Sequence, residues 1–212
     1  MAVVQNLLIG RSRGRVGNVV FSTHKGQNIL KAKAEIVANP RSVLQQANRA
    51  RFVALMAIGR MLRPILALGF KEYAGSVTWL NKFMSTNSYS DLMIWDDTTS
   101  SWLTQLENVV VAEGQLLPTP FLDVASSATT LNVNWETSPL ANQSAEDLLI
   151  IVVMCKSDTQ YQIKEVARSS GAADIAFLGG TVGDTVYYAG FFISPNGTIV
   201  SNSYAGSVTI TA

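Results

Sequence analysis

The chain has few of the groups that carry catalysis. Of its 212 residues, one is a cysteine, Cys155, and one is a histidine, His24. One cysteine excludes an internal disulfide, so the fold must hold by packing. It also excludes the Cys/His clusters of structural zinc sites. A Ser/His/Asp or Cys/His set would have to form around His24, which stands beside a Lys25-Gly26 turn in a basic stretch. Gly10, Gly14 and Gly17 are closely spaced, but no preceding strand or ribose-binding acid of a dinucleotide fold accompanies them. The pair Asp96-Asp97 alone is too little for calcium. The sequence points away from an enzyme and implies no cofactor and no metal.

Long apolar runs are also missing. The longest, Leu148–Cys155, is strand-length and far short of the roughly 18 residues of a membrane span, so none is expected. The apolar patch at Val3-Val4 and Leu7–Ile9 precedes the basic residues. A secretion signal has the reverse order, so export is not expected. Charge is scarce at 15% of residues, whereas 48% are hydrophobic. That much apolar surface has to enter a core or a contact between subunits.

Acids are nearly absent from the first third. Residues 1–75 carry twelve Lys/Arg against Glu35 and Glu72, a net of +10. Residues 76–212 carry four bases against thirteen acids, a net of −9. A basic arm on an acidic body fits two partners: a nucleic acid, or the acidic body of another copy.

Three regions follow. Residues 1–38 read as a basic, glycine-rich arm with a hairpin, Asn18–Thr23 returning as Asn28–Lys33. Its Arg11, Arg13, Arg15, Lys25, Lys31 and Lys33 are candidate contacts to phosphate or to a neighbouring subunit. Residues 39–105 read as helical. Asn39-Pro40 is a helix start, and the helix beginning at Arg41 runs toward Gly69, with Pro64 expected to kink or restart it. Val43, Leu44, Ala47, Ala54, Leu55, Ile58, Met61 and Leu62 share one broad helical face. Arg49, Arg60 and Arg63 share the opposite side, with Phe52, Val53 and Met56 close by. That mixture predicts a partner offering both apolar and acidic groups, and with Arg41 these are the contact candidates of the region. Arg51 projects from the apolar face, so an acid or backbone carbonyls should meet it. A second helix is expected over about 76–87. Residues 88–105 stay unassigned, with Trp95 and Trp102 flanking a turn.

Residues 106–212 change to a period of two. Val109–Ala112, Leu131–Trp135, Leu148–Cys155, Tyr161–Ala167, Ile175–Leu178, Thr185–Ile193 and Ile199–Thr211 read as strands separated by turns. The fold class expected is α+β: a basic hairpin arm and helices, then an immunoglobulin- or fibronectin-like antiparallel β-sandwich. Trp135 is a candidate core aromatic.

Several of these segments together resemble a family of uncharacterised proteins common in Bacteroidetes and their phages. They are Gly14-Arg-Val-Gly-Asn18, Asn39-Pro-Arg-Ser-Val-Leu-Gln-Gln with Arg49 and Phe52, Gly183-Asp-Thr-Val-Tyr-Tyr, and Ser201-Asn-Ser-Tyr-Ala-Gly206. Ser42 stands where threonine is usual, and Ser22-Thr23-His24 replaces an aromatic. The resemblance implies an architecture and a host group but no mechanism. With the charge pattern it suggests a structural protein of a phage virion, associating with copies of itself and other virion proteins. Two other readings stay open. One is a cellular nucleic-acid-binding protein, although Phe21 is the only aromatic among residues 1–35, which leaves little for base stacking. The other is a β-sandwich adhesion module with an N-terminal docking region.

Overall fold

The computed structural model describes residues 2–4, 13–24, 26–36, 41–75, 77–88, 90–127, 129–155, 161–177 and 180–211. The chain divides into two compact units, Met1–Ser42 and Val43–Ala212. The division keeps the sign of the charge pattern but lowers its contrast, because Arg49, Arg51, Arg60, Arg63 and Lys71 fall in the second unit. The first unit carries seven bases against one acid, a net of +6, and the second nine against fourteen, a net of −5.

The first unit is a four-stranded antiparallel sheet. Strands β1 (Ala2–Val4), β2 (Gly14–Val16), β3 (Val19–His24) and β4 (Gln27–Ala32) lie in the order β1-β4-β3-β2. The expected hairpin is β3–β4, with His24 opposite Gln27. Gly26 in its turn has φ +80°, a backbone that favours glycine. None of residues 13–23, 26–36 and 41–42 is buried. Val16 is 70% exposed and Ile36 88%.

The second unit begins with helix α1 (Val43–Met61) and helix α2 (Arg63–Gly69), which meet at 85°. Pro64 sits in the first turn of α2, where a missing N–H costs nothing, so it restarts the helix after a sharp bend. Leu62, fully buried, fills the elbow. Gly69 closes α2 against the segment 109–112, because a Cβ there would fall on the Val111 carbonyl oxygen. Helix α3 (Trp79–Asn87) begins later than expected. Thr78 caps it by accepting a hydrogen bond from the Asn81 N–H at 3.2 Å. The unassigned stretch after α3 is a hairpin of β5 (Met93–Asp96) and β6 (Ser101–Thr104), with Trp95 paired across to Trp102.

The remaining strands form an antiparallel β-sandwich. Strands β7 (Phe121–Ser126), β8 (Thr130–Trp135) and β11 (Ala172–Ala176) make one sheet in the order β11-β8-β7. Strands β9 (Leu148–Cys155), β10 (Tyr161–Ala167), β12 (Thr185–Ile193) and β13 (Tyr204–Thr209) make the other, in the order β10-β9-β12-β13. Alternate residues of β9 face two different cores. Leu149, Ile151, Val153 and Cys155 pack with Leu131, Val133, Trp135 and Ile175 of the three-stranded sheet. Ile150, Val152 and Met154 pack with Leu55, Leu62, Leu66, Phe70 and Phe83 of the helices. The four-stranded sheet is thus a middle layer, covered by helices on one face and by the second sheet on the other. This explains the uninterrupted apolar run of β9. The helical region expected at 39–105 and the sandwich expected at 106–212 share one core, inside one compact unit.

Three expectations need correction. Val109–Ala112 is extended and largely buried but is not a strand. Val109 and Ala112 bond to backbone, through the Val109 N–H to the Leu106 carbonyl and the Ser203 N–H to the Ala112 carbonyl. In the middle a side chain takes over: the Asn87 Oδ1 accepts from the Val110 N–H at 2.9 Å, and its Nδ2 donates to the Val110 carbonyl at 2.9 Å. The Val111 N–H donates to the Ser203 hydroxyl at 3.0 Å. Strand β7 was not expected, since its register breaks between Phe121 and Asp123 and hides the alternation. The last strand is shorter than the expected 199–211. Val200 and Ser201 make only isolated bridges, to Ile193 and Leu116. Of the turns expected between the strands, the one at Lys156-Ser-Asp158 falls outside the described residues.

Candidate interaction site

Helix α1 buries only a narrow strip. Leu55 and Gly59 are buried, and Arg51 beside them donates from Nη2 to the Ser88 carbonyl at 2.5 Å. The Arg51 guanidinium also lies 4.9 Å from the centre of the Trp102 ring. Arg51 thus finds the carbonyl its position demanded, with an aromatic face in place of an acid.

On the outer side, Phe52, Val53, Met56, Ala57 and Arg60 enclose a shallow hollow of about 260 Å³. Phe52 is 57% exposed and Val53 67%. Successive turns of one helix supply all five residues, spaced three and four apart, so their mutual placement is fixed by helix geometry. No acid occurs between Glu35 and Glu72, so α1 itself carries only basic charge. At the helix start, Val43 and Leu44 are 77% and 72% exposed, which reverses their expected place on the core face. The broad apolar face assumed a helix buried along its whole length, whereas the buried residues of α1, Leu55 and Gly59, lie in its C-terminal half.

The candidate contact residues divide accordingly. Phe52, Met56 and Arg60 come together in the hollow. Arg49 is exposed on α1, one turn before Val53. Arg63 leaves the expected stripe, because the bend puts it at the start of α2. Arg41 is exposed immediately before α1. Arg13, Arg15, Lys31 and Lys33 are all exposed on the first unit, where the Arg15 Nε donates to the Gly17 carbonyl at 3.0 Å. Arg11 and Lys25 lie outside the described residues.

A second concavity was not foreseen. The N-terminal half of α1 and the Trp face of the β5–β6 hairpin border a groove of about 540 Å³. Ala47, Ala50 and Ala54 line one wall, and Trp95 and Trp102 the other. The two indoles stack edge to face, 5.2 Å between centres. Trp102 Nε1 donates to the Ala47 carbonyl at 2.7 Å, which fastens the hairpin to the helix. The signal available in the sequence was the pair of tryptophans flanking Asp96-Asp97.

Two polar clusters lie elsewhere in the second unit, and both act as cross-links. Glu113 meets the Lys82 ammonium at 2.8 Å and accepts from the Tyr73 hydroxyl at 2.8 Å. Burial pushes the Glu113 carboxyl up, but the bonds from Lys82 and Tyr73 outweigh it and hold it below the ordinary range. The same hydrogen bond, with burial, raises the Tyr73 phenol. The fully buried Arg168 pairs with Asp147 at 3.2 Å, contacts the Thr119 hydroxyl and lies 4.0 Å over the Phe192 ring. Burial lowers the Arg168 pKa, and Asp147 opposes that shift. Its carbonyl accepts from Trp135 Nε1 at 2.8 Å, so the expected core tryptophan is anchored to this cluster. Among the described residues, no three His, Cys, Asp or Glu side chains gather as metal ligands. Among them, too, no single helix is long and apolar enough to cross a membrane.

The chain belongs to a family of unknown function, DUF6266, whose model matches residues 11–206. No curated protein matches it. Several solved structures are similar to part of it. The crystal structure of a fibronectin type III (FN3) domain of human collagen XX is 15% identical, with 46% of this chain and 93% of that one covered and a TM-score of 0.36. A β-1,2-glucanase from Parabacteroides distasonis is 13% identical, with 46% and 13% covered and a TM-score of 0.35. The solution structure of an fn3 domain of human contactin 1 is 11% identical, with 47% and 83% covered and a TM-score of 0.33.

Proposed function

We propose that this chain is a structural, non-catalytic assembly protein: a phage virion subunit that associates with copies of itself and other particle proteins. The contacts are the outer face of α1 and the basic first unit. We read the sandwich as immunoglobulin- or fibronectin-like, on the strand order β11-β8-β7 against β10-β9-β12-β13. The observation that carries the reading is the exposure of Phe52 and Val53 beside Arg60, on a helix whose opposite side enters the core. Phe and Val together leave enough apolar surface on one helix face to favour burial against a partner. A partner that is itself basic is disfavoured, because Arg49 and Arg60 would meet like charges. The acidic second unit of another copy meets both demands. Nucleic acid is the second reading for the first unit alone, supported by its net charge of +6.

The test is sedimentation of the full chain, free of nucleic acid, beside a Phe52→Asp/Val53→Asp variant. Both residues are exposed, so the variant keeps its fold. The wild-type chain is expected to form a discrete oligomer at micromolar concentration and the variant to sediment as monomer. A variant that assembles as the wild-type chain does removes α1 from the interface.

A further inference from the structure

The groove between α1 and the β5–β6 hairpin has the chemistry of a site for guanidinium groups. Its aromatic wall ends in two carboxylates. Asp97 accepts from Trp95 Nε1 at 2.9 Å. Asp96 accepts from the Thr98 N–H at 2.9 Å and from the Thr99 hydroxyl at 2.6 Å, which fixes its carboxylate at the hairpin tip. These bonds lower the Asp96 pKa, the Thr99 hydroxyl foremost, so the group is ionised at neutral pH. An aromatic face beside carboxylates favours arginine through stacking and charge together. Arg51 over Trp102 already shows the stacking in this chain. On the opposite wall Ala47, Ala50 and Ala54 stand beside Val43 and Gln46, so a strand can approach the helix closely along the alanines. The hairpin side of the groove belongs to a stretch, residues 83–155, with nine acids and no Lys or Arg, while Arg51 on the helix side is engaged by the Ser88 carbonyl and the Trp102 ring.

The same sequence contains a segment that matches. Arg15 and Val16 are exposed on β2, an edge strand of the first unit, and Arg13 is exposed immediately before it. We propose that the groove receives the Arg13–Val16 segment of a second copy. One guanidinium stacks on Trp95 and pairs with Asp96 and Asp97, while Val16 packs on the alanine wall. This rests on the assembly reading above and names a partner surface for it. Donor and acceptor are different surfaces, so the contact either closes reciprocally in a two-fold dimer or runs head-to-tail into a ring or a filament.

The test uses two full-length variants. Arg13→Glu/Arg15→Glu reverses the donor, and Asp96→Lys/Asp97→Lys reverses the groove rim. Each alone sets like charges together and is expected to weaken self-association by about tenfold or more at low salt. Mixed, each variant's donor meets the other's oppositely charged groove, so association returns toward the wild-type value. A mixture that associates no better than its components overturns the proposal. If the reversed hairpin misfolds, Ala50→Arg decides, because it fills the groove from an exposed helical position that arginine suits. A folded Ala50→Arg chain with wild-type affinity also overturns it. If these variants associate normally while Phe52→Asp/Val53→Asp does not, only the groove assignment falls. A wild-type chain that stays monomeric removes both readings.

Discussion

Asn87 offers the sharpest test of how the second unit is held together. It is fully buried at the end of α3, and its amide takes the place of a strand for the segment 109–112. In Asn87→Ala the Val110 N–H and C=O both lose their partner. The third bond, to the Phe83 carbonyl at 3.1 Å, matters less, since that carbonyl also accepts within the helix. Each buried backbone group left without a partner costs about 1–3 kcal/mol, so the variant should lose roughly 4 kcal/mol. For a unit of this size that is a fall of about 10 °C in melting temperature. Leu would not rescue it, because the missing element is the donor–acceptor pair and not volume. Denaturant unfolding followed by tryptophan fluorescence measures the loss, with a midpoint shift at constant slope expected. A loss below about 1 kcal/mol would show that water or another group satisfies Val110 and would refute the reasoning.

Two further predictions concern the hairpin and the acid cross-link. Ser100, with φ +49°, is held in a left-handed conformation that glycine adopts without strain. Ser100→Gly should therefore stabilise by about 0.5–1 kcal/mol, and a lower melting temperature would contradict it. Glu113 has a folded pKa below its ordinary value, so its contribution is complete at neutral pH and lost as pH falls through the carboxylate range. Glu113 is over a third exposed and so partly screened by solvent, and Glu113→Gln should cost only about 0.5 kcal/mol at neutral pH, with the gap to wild type closing on acidification. A gap that stays constant with pH would exclude the charge as its source.

What the sequence disclosed depended on how local the cause was. The bend at Pro64 follows from one missing donor, so it was legible. Strands β8, β9, β10 and β12 follow from apolar patterning and turn residues. The segment 109–112 has the same apolar pattern, yet it bonds to residues distant in sequence, Asn87 and Ser203, and not to a neighbouring strand. No local pattern marks that. The exposure of Val43 and Leu44 likewise depends on where α1 leaves the core, which periodicity does not encode. At the candidate site, the grouping of Phe52, Met56 and Arg60 was legible because one helix carries all three. Arg63 was misplaced by the angle of the bend, and the groove needed a hairpin that polar turn residues concealed.

The central claim is association through a face both apolar and basic. The most direct measurement is the molar mass of the nucleic-acid-free wild-type chain by light scattering across a salt titration. Ion pairs of the first unit are screened at high salt, where the Debye length falls to about 3 Å at 1 M. Apolar contacts survive or strengthen. The account predicts a discrete multiple of 22.9 kDa that persists into high salt. A mass of one chain at every salt concentration, or complete dissociation at moderate salt, would contradict it.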